Sequence, residues 1–290
     1  MFKNFIKYIP YSLIKKFLRK EHIKNKYRNI LKSHCKIENI KKIEQRQSND
    51  HMSLKVEKIL AEKFQSNILT QEKDFLILAK PQGTSTQGGN KQKTSINTWG
   101  KAWAKIYNQS NPLIVHRLDK ETSGALLMAL NRKAAKIFSN QFKLHTITKE
   151  YWALVTKIPK KNSGIINFPL QKYTTNHREK IIVNPQGKKA ISYYKVLKKN
   201  LKFNIAWISI KPQTGRTHQL RIHCAEAGFP ILGDPKYSKN ISQSFNYQKR
   251  LHLHSYRIIF NDIQGRKKDF YSPLLNNISK TWKNLSFNKI

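Results

Sequence analysis

One aspartate lies in a setting suited to chemistry. Residues 116–124 read HRLDKETSG and place Asp119 in a short polar loop between two apolar runs, 112–115 and 125–130. A carboxylate held in such a loop can act as a nucleophile or as a general base. The competing interpretation is a turn cap, because aspartate beside threonine, serine and glycine commonly hydrogen-bonds its own backbone.

Three further segments contain residue types that serve catalysis or bind anions. An apolar run ends in KPQG at residues 80–83, and residues 149–155 read KEYWALV around Tyr151. Residues 214–223 read TGRTHQLRIH and contain Arg216, His218 and Arg221. Each segment also has a plain structural interpretation: Tyr151 as part of a strand core, and Arg221 as an arginine on a helix surface.

In order and spacing, these segments resemble the motifs of the RluA-type RNA pseudouridine synthases. Two later segments, LHLHSY at residues 251–256 and SPL at residues 272–274, extend the resemblance to roughly residues 68–275. The span 163–194 is most similar to the C-type enzymes of the large ribosomal subunit, although their first motif tends to continue into His-Gly-Gly where this chain has Gln87-Gly88-Gly89. The resemblance implies an isomerase that converts uridine to pseudouridine in 23S-type ribosomal RNA.

The implied reaction needs few residues. It breaks the C1′–N1 bond, rotates the uracil and forms a C1′–C5 bond, without redox chemistry or energy input. Glycosidases use two carboxylates to bring in water, whereas an isomerase must exclude water and retain the base, which suits a single carboxylate in a closed pocket. The resemblance makes Asp119 the essential residue, which attacks the ribose C1′ or the uracil ring, or removes a ribose proton; the sequence leaves these three open.

The resemblance also gives roles to other residues. Arg221 is expected to pair with Asp119, hold it ionised and fix its rotamer. Tyr151 is expected to lie against the uracil face and to relay the C5 proton. Because a base in folded RNA must be extruded into the pocket, Arg117 is expected to fill the vacated stack or to hold a phosphate, or else to be a structural loop arginine. Weaker candidates for phosphate or pocket contacts are Lys80, Arg216 and His218.

Other constellations fail on spacing. His218 and His223 do not form an HExxH pair, so a helical zinc site is not expected. His252 and His254 alternate along a strand without a carboxylate or thiolate beside them, and these two are predicted to be structural. The sequence contains no Walker A, GxGxxG or GxSxG string. We therefore predict no metal and no cofactor.

The charge of the chain indicates an anionic partner. The 290 residues include 56 Lys and Arg against 16 acids, a formal net charge of +40. Such an excess opposes compaction unless counter-charge is near, and nucleic-acid phosphate supplies it. Anionic lipid is the alternative, but no apolar run approaches the roughly 18 residues of a membrane span. Because Lys, Asn and Ile are abundant throughout, the charge permits RNA binding without proving it.

Cysteine use and the first residues bear on compartment. Cys35 and Cys224 lack CxxC spacing, which suits a reducing cytosol. Residues 1–20 are basic, but Pro10 interrupts them and no continuous apolar region follows, so a secretory signal is not expected. A Lys-rich start without acids can also be an organelle transit peptide. The expectation is a cytoplasmic protein.

The chain divides into three predicted parts. Residues 1–46 resemble a small S4-like RNA-binding module, with departures that include a missing glycine between Lys20 and Glu21. Residues 47–67 are a linker with a connecting helix over 54–64, and residues 68–290 are the catalytic domain. The patterns predict strands over 74–79, 123–130, 151–156, 190–197, 203–210 and 258–260, and helices over 131–142 and 217–227. Many strands with few helices and no regular alternation indicate an α+β fold with a mixed or antiparallel sheet.

Three functions of different classes fit these observations. The first is a cofactor-free, monomeric synthase for 23S-type ribosomal RNA without an obligate protein partner. The second is a related synthase that acts on transfer RNA or at another ribosomal position. The third is a non-catalytic RNA-binding factor in ribosome assembly, against which the joint presence of Asp119, Tyr151 and Arg221 argues.

Overall fold

A mixed β-sheet positions the segments that carry the motifs. A computed structural model of the protein describes residues 54–88, 94–175, 178–238 and 249–287. The predicted S4-like module at residues 1–46 lies outside the described residues. Within these ranges, no helix is both long and apolar enough to cross a membrane.

The described chain alternates single helices with groups of strands. Helix α1 covers residues 54–65. The remaining elements are, in chain order, β1 (Ile68–Gln71), β2 (Phe75–Lys80), α2 (Ile96–Ile106), β3 (Leu113–Ile114), β4 (Ser123–Ala129), α3 (Arg132–Lys143), β5 (Thr148–Thr156), β6 (Ser163–Asn167), β7 (Leu170–Thr175), β8 (Arg178–Val183), β9 (Ile191–Asn200), β10 (Ile205–Pro212), α4 (Gln219–Glu226), β11 (Leu253–Asn261), β12 (Lys267–Tyr271) and α5 (Asn276–Asn284).

Ten of these strands form one sheet, in the order β1-β2-β4-β11-β5-β10-β9-β6, with β12 paired to β11 and β3 paired to β4. Strands β4 and β11 run parallel, and the other pairs in this sheet are antiparallel. The predicted α+β class with a mixed sheet is therefore confirmed. Strands β7 and β8 form a separate two-stranded sheet.

The centre of the sheet is buried on both faces, so its strands are apolar at successive positions. In β2, Leu76 and Leu78 pack into the core shared with α1, α2 and α4, whereas Phe75 and Ile77 pack on the opposite side. There α3 covers one half of the sheet through Phe138, and α5 covers the other half. This double burial fits the continuous apolar runs in β2 and β4.

Local sequence signals account for the elements that were predicted. Asn131 caps α3 by accepting a hydrogen bond from the Ala134 amide at 2.8 Å, and α4 ends before Gly228, whose φ is +86°. Helix α2 was not predicted. It begins with a capping box in which the Ser95 side chain accepts from the Thr98 amide and the Thr98 side chain accepts from the Ser95 amide.

Candidate active site

The loop that carries Asp119 is held by hydrogen bonds on both sides of the aspartate. On one side, the Thr86 hydroxyl donates to the Leu118 carbonyl at 2.8 Å and accepts from the Leu118 amide at 3.1 Å. On the other side, the Gly83 amide donates to the Lys120 carbonyl at 2.9 Å. Both supports come from the segment after β2, which gives the KPQG motif a structural reason to accompany the aspartate loop.

Lys80 is fully buried beneath this loop, and the prediction that it contacts RNA or the pocket is wrong. Its ammonium donates to the carbonyl oxygens of Pro81 at 3.0 Å, Thr84 at 2.7 Å and Lys120 at 3.2 Å. Burial lowers the pKa of Lys80 to about 7, and nearby carboxylates oppose that shift. Since carbonyl groups occupy all three donor directions of an ammonium, Lys80 organises the loop.

The glycine that ends the HRLDKETSG motif is required by the sheet. Gly124 has φ +107°, and a Cβ built there would lie 2.2 Å from the Ser255 carbonyl oxygen. The two residues are partners in the parallel pairing of β4 with β11. A side chain would therefore push apart the strands that flank the aspartate loop.

A cavity of about 370 Å³ opens beside Asp119. Its wall contains six of the seven residues predicted to serve the reaction or to bind RNA, with Lys80 as the exception: Arg117, Asp119, Tyr151, Arg216, His218 and Arg221. Among the described residues of the wall, Asp119 is the one acid, and it faces five lysine and arginine side chains. A cavity of this size is within the range of small-ligand sites, and its charge favours an anionic guest.

Tyr151 projects into the cavity from β5. It pairs with Ile210 of β10 on one side and with Ser255 of β11 on the other, in the middle of the sheet. Burial and the negative charge of Asp119 both raise the pKa of Tyr151 well above its ordinary value. The tyrosine therefore presents a protonated hydroxyl to the cavity throughout the physiological range of pH.

Arg221 also lines the cavity, but its expected direct pairing with Asp119 is wrong. The arginine donates from Nε to Oδ2 of Asp234 at 2.8 Å and from Nη2 to Oδ1 of Asp234 at 2.6 Å, and both side chains are buried. Against the opposing effect of burial, these bonds and the charge of Asp234 raise the pKa of Arg221. The planar guanidinium prefers a bidentate carboxylate, and Asp234 offers that geometry from the side away from the substrate.

Asp234 was not predicted as a site residue. It follows Gly233, which has φ +73° and lies so close to the Arg250 backbone that a Cβ would meet the Arg250 carbonyl oxygen at 1.9 Å. Besides Arg221, it accepts the Lys236 amide at 2.8 Å. The signal that could have found it is the rarity of acids in this chain, which has 16 among 290 residues. An acid in a Gly-Asp-Pro turn therefore stands out.

Among the described residues, His218 is the Lys, Arg or His side chain that lies within 4 Å of the Asp119 carboxylate. The distance from its Nε2 to Oδ2 of Asp119 is 3.9 Å. Its Nδ1 lies 2.8 Å from the Tyr237 hydroxyl, which also hydrogen-bonds the backbone of Ile181. Burial lowers the pKa of His218, which keeps the ring neutral.

The backbone of His218 is held in a left-handed conformation, with φ +54°, at the start of α4. Gln219 fixes the loop before it: its carbonyl oxygen accepts from the Thr214 hydroxyl at 2.8 Å and from the Arg216 amide at 3.0 Å. Its amide nitrogen donates to the Ile191 carbonyl at 3.0 Å. A strained residue secured in this way is typical of a functional site.

Lys149 lines the cavity together with an aromatic pair, His116 and Phe142. It lies on β5 two positions before Tyr151, on the same face of the strand. The His116 and Phe142 rings stack at 4.2 Å, and the Lys149 ammonium lies 6.0 Å from the Phe142 centroid. His116 accepts the Leu127 amide at 3.0 Å, and burial followed by the charge of Lys149 lowers the pKa of His116 to about 3. This wall was not predicted, although the two-residue spacing from Tyr151 could have indicated Lys149.

The comparisons with known proteins agree with this site. The family model described as RNA pseudouridylate synthase matches residues 74–226, which include the aspartate loop, Tyr151 and Arg221. The chain belongs to the RNA pseudouridylate synthase family. As a member of that family, in its RluA-type branch, it is an isomerase.

Individual relatives support the same membership. The chain is 36% identical over 200 residues to an uncharacterised RNA pseudouridine synthase of Zymomonas mobilis, covering 66% of this chain and 86% of that protein. It is 39% identical over 206 residues to ribosomal large subunit pseudouridine synthase C of Rickettsia prowazekii, covering 70% of this chain and 66% of that enzyme. Human RNA pseudouridylate synthase domain containing 4 shares the fold, with a TM-score of 0.66 at 23% identity over 79% of this chain and 97% of that one.

Three other histidines of this pseudouridylate synthase, His223, His252 and His254, are buried within the fold. His254 is buried, its Nε2 donates to the Ser272 carbonyl at 3.0 Å and its Nδ1 accepts from the Ser123 hydroxyl at 2.9 Å. Burial lowers the pKa of His254 to about 4. His252 is buried beside it, and His223 lies between the Phe168 carbonyl and a serine hydroxyl. The prediction that His252 and His254 are structural agrees with this burial.

Proposed function

We propose that this enzyme isomerises specific uridines to pseudouridine in 23S-type ribosomal RNA, with Asp119 as the essential carboxylate. The observation that carries the proposal is the composition of the cavity, in which one carboxylate, a buried tyrosine and a fixed arginine share a wall. The reaction breaks the C1′–N1 bond and forms a C1′–C5 bond, while C5 loses a proton and N1 gains one. The atoms balance without an oxidant, a reductant or water.

Asp119 is the group that begins the reaction. It lies at the cavity wall on a loop whose backbone is fixed on both sides, so its carboxylate has a defined position relative to a bound uridine. It attacks the ribose C1′ or the uracil ring, or removes a ribose proton, and all three routes use the same ionised carboxylate. Each route gains from the pre-set orientation of the carboxylate.

Arg221 acts on Asp119 through the electrostatic field of the cavity. Its charge is permanent, because its bonds to Asp234 raise its pKa. It therefore stabilises negative charge that returns to the carboxylate when the intermediate collapses. The bidentate bond to Asp234 holds the guanidinium in place while the substrate changes.

Tyr151 supplies a neutral hydroxyl at the wall of the cavity. Its ring offers a flat surface for a uracil, and its raised pKa keeps the proton on oxygen until a base of higher proton affinity is present. In the last step it relays the proton between C5 and the rest of the site. Its place in the middle of three strands makes this position rigid.

The target uridine reaches the cavity by extrusion from the RNA. Arg117 is exposed at the edge of the cavity, next to the aspartate loop, where it can enter the gap in the base stack. Arg216 is exposed at the opposite edge, with its Nε on the Lys189 carbonyl at 3.2 Å. Both side chains are placed to contact the phosphates around the extruded nucleotide.

Ribosomal RNA of the large subunit is the target that we favour, in the cytoplasm. The ribosomal large subunit pseudouridine synthases C of Rickettsia, whose name gives that target, are 39% identical to this chain over 206 residues. Residues 1–46 add 14 lysines and arginines against 3 acids, and as an S4-like module they would enlarge the surface for a large RNA. A transfer RNA or another ribosomal position is the alternative target.

The proposal is tested by mapping pseudouridine in ribosomal and transfer RNA from cells with and without the gene. We expect one or a few large-subunit positions to lose the modification and to regain it when the wild-type gene returns. Complementation with Asp119→Asn should leave those positions unmodified. Loss of pseudouridine from transfer RNA alone would move the target to the alternative, and no change at any position would contradict the function.

A further inference from the structure

Lys149 is a half-buried cation that has the Phe142 ring as a neighbour but no hydrogen-bond or ion-pair partner in the described part of the molecule. It lines the cavity, and no carboxylate, carbonyl or hydroxyl lies within hydrogen-bonding distance of its ammonium among those residues. Other enclosed cations of the domain are paired: Arg221 with Asp234, and Lys268 with Glu72 at 2.8 Å. An ammonium that is partly dehydrated by burial and has no hydrogen-bond acceptor gains free energy when an anion binds beside it.

The surroundings of Lys149 leave one side open to the cavity. The aromatic wall of His116 and Phe142 lies on one side, and it is uncharged because the His116 ring stays neutral. On another side is Gly215, where an added Cβ would lie 3.8 Å from the Lys149 ammonium. Glycine at this place leaves room beside the ammonium that a larger residue would take.

We propose that Lys149 is the binding site for one backbone phosphate of the substrate strand, beside the extruded uridine. The inference rests on the proposed function for the identity of the strand as RNA. Lysine is a compact point charge suited to a phosphate, whereas planar recognition of a carboxylate or a base edge favours arginine. The position of Lys149 on the same strand face as Tyr151 puts this phosphate next to the base that Tyr151 contacts.

The site differs from the exposed arginines at the edge of the cavity. Arg117 is exposed and its charge is solvated in the free protein, so its contact with a phosphate exchanges one hydrated state for another. Lys149 already lacks part of its hydration shell. A phosphate at Lys149 therefore gains more per contact and fixes the register of the strand in the cavity.

The test uses the full chain and synthetic fragments of its own large-subunit ribosomal RNA. Lys149→Met removes the charge and keeps an apolar stem, and Lys195→Met is the matched control, because Lys195 is exposed on the other face of the same sheet. Affinity is measured against salt by fluorescence anisotropy, and thermal melting confirms that each variant is folded. If the methionine variant does not fold, Lys149→Gln replaces it.

We expect Lys149→Met to weaken binding about tenfold and to reduce the slope of log K against log salt by about 0.7 to 0.9. A change in affinity with an unchanged slope would overturn the proposal, because it would indicate a contact with an uncharged group. The same holds if Lys195→Met has an equal effect on both quantities.

A scan with methylphosphonate, which replaces one phosphate at a time by a neutral group, identifies the partner. At one position we expect wild-type affinity to fall as much as Lys149→Met lowers it, with no further fall in the variant. If every position lowers the affinity of both proteins equally, Lys149 does not bind a phosphate. Since the readout is affinity and not product, a failure of pseudouridine formation would contradict the proposed function and leave this result readable.

Discussion

The cavity has an arginine side, which contains Arg221 and His218, and a lysine side, which contains Lys149. The two cations differ in whether a hydrogen-bonded partner holds them in the free protein. On the arginine side, Arg221 is held by two hydrogen bonds to Asp234, and His218 is oriented by Tyr237. On the lysine side, Lys149 lies over an aromatic wall without a hydrogen-bond partner in the described chain. The first cation is already satisfied in the free protein, whereas the second is not.

This difference separates positioning from binding. A paired arginine contributes a fixed charge to the reacting groups before the substrate arrives, which is the arrangement that favours a transition state. An unpaired lysine is improved by the arrival of an anion. Variants on the arginine side should therefore change kcat, and variants on the lysine side should change KM.

The largest effect is expected at the residue that both sides serve. Asp119→Asn should abolish isomerisation and leave RNA binding nearly intact, because the amide keeps the shape of the side chain but cannot act as nucleophile or base. Tritium release from RNA with 5-tritiated uridine, beside a filter-binding curve, measures the two quantities. Turnover above about 1% of wild type would contradict the assignment, since such roles are worth several powers of ten.

The arginine side comes next in magnitude. Arg221→Ala should reduce kcat nearly as far as Asp119→Asn, and Arg221→Lys should recover a part, because lysine restores the charge but not the two-point contact with Asp234. The alanine variant also leaves Asp234 buried and unpaired, which should cost about 3–5 kcal/mol of unfolding free energy. Kinetics and chemical denaturation on the same preparations measure both.

A double variant separates the two effects of Arg221. Arg221→Met combined with Asp234→Asn removes both charges of the buried pair and keeps the side-chain oxygen that accepts the Lys236 and Tyr237 amides. We expect stability to return toward wild type while kcat stays low. A return of activity together with stability would show that Arg221 serves the fold alone.

The sequence predicted the residues of the arginine side better than those of the lysine side. Arg221 and Tyr151 belong to motifs with recognisable residues. The start of helix α3 was predictable because Asn131 is a residue type that caps helix N-termini. The partner of Arg221 was missed because its contact depends on how a loop around Gly233 folds back onto α4. Lys80 was expected to contact a phosphate or the pocket. One of its three carbonyl acceptors, that of Lys120, lies 40 residues away in sequence, so this set of contacts left no local signal.

Helix α2 was missed for a different reason. Its Ile96, Trp99 and Trp103 have helical spacing, but tryptophan and glycine are poor helix formers, and Gly100 lies in the middle. The glycine is explained by packing, since an added Cβ would lie 3.2 Å from the Phe64 ring. The close contact with α1 thus favours glycine at position 100, although glycine has a low helix propensity.

A smaller loss is expected at the tyrosine between the two sides. Tyr151→Phe keeps the ring and removes the hydroxyl, so base stacking and KM should change little. The kcat should fall by about 10² to 10⁴, the usual range for a proton-transfer group. The same tritium-release assay at saturating RNA measures it. A fall in affinity with unchanged kcat would mean that Tyr151 is only a stacking surface.

The smallest effect distinguishes the two sides by pH. Burial lowers the pKa of Lys149, so in the free protein this side chain loses its proton at lower pH than an exposed lysine. Since phosphate binds the protonated form, KM should rise as pH increases above neutrality toward the ordinary lysine range. The groups around it do not titrate there: His116 is neutral, Tyr151 stays protonated because its pKa is raised, and Arg221 stays charged.

Lys149→Arg tests that assignment, because arginine keeps its charge at every accessible pH. We expect the alkaline rise in KM to disappear in this variant, with kcat close to wild type, and to persist in Lys195→Arg. Short initial-rate assays between pH 7 and about 9.5 avoid hydrolysis of the RNA and stay below the ordinary pKa of lysine. A rise in KM that is the same in wild type and Lys149→Arg would assign it to another group and leave Lys149 without a role in binding.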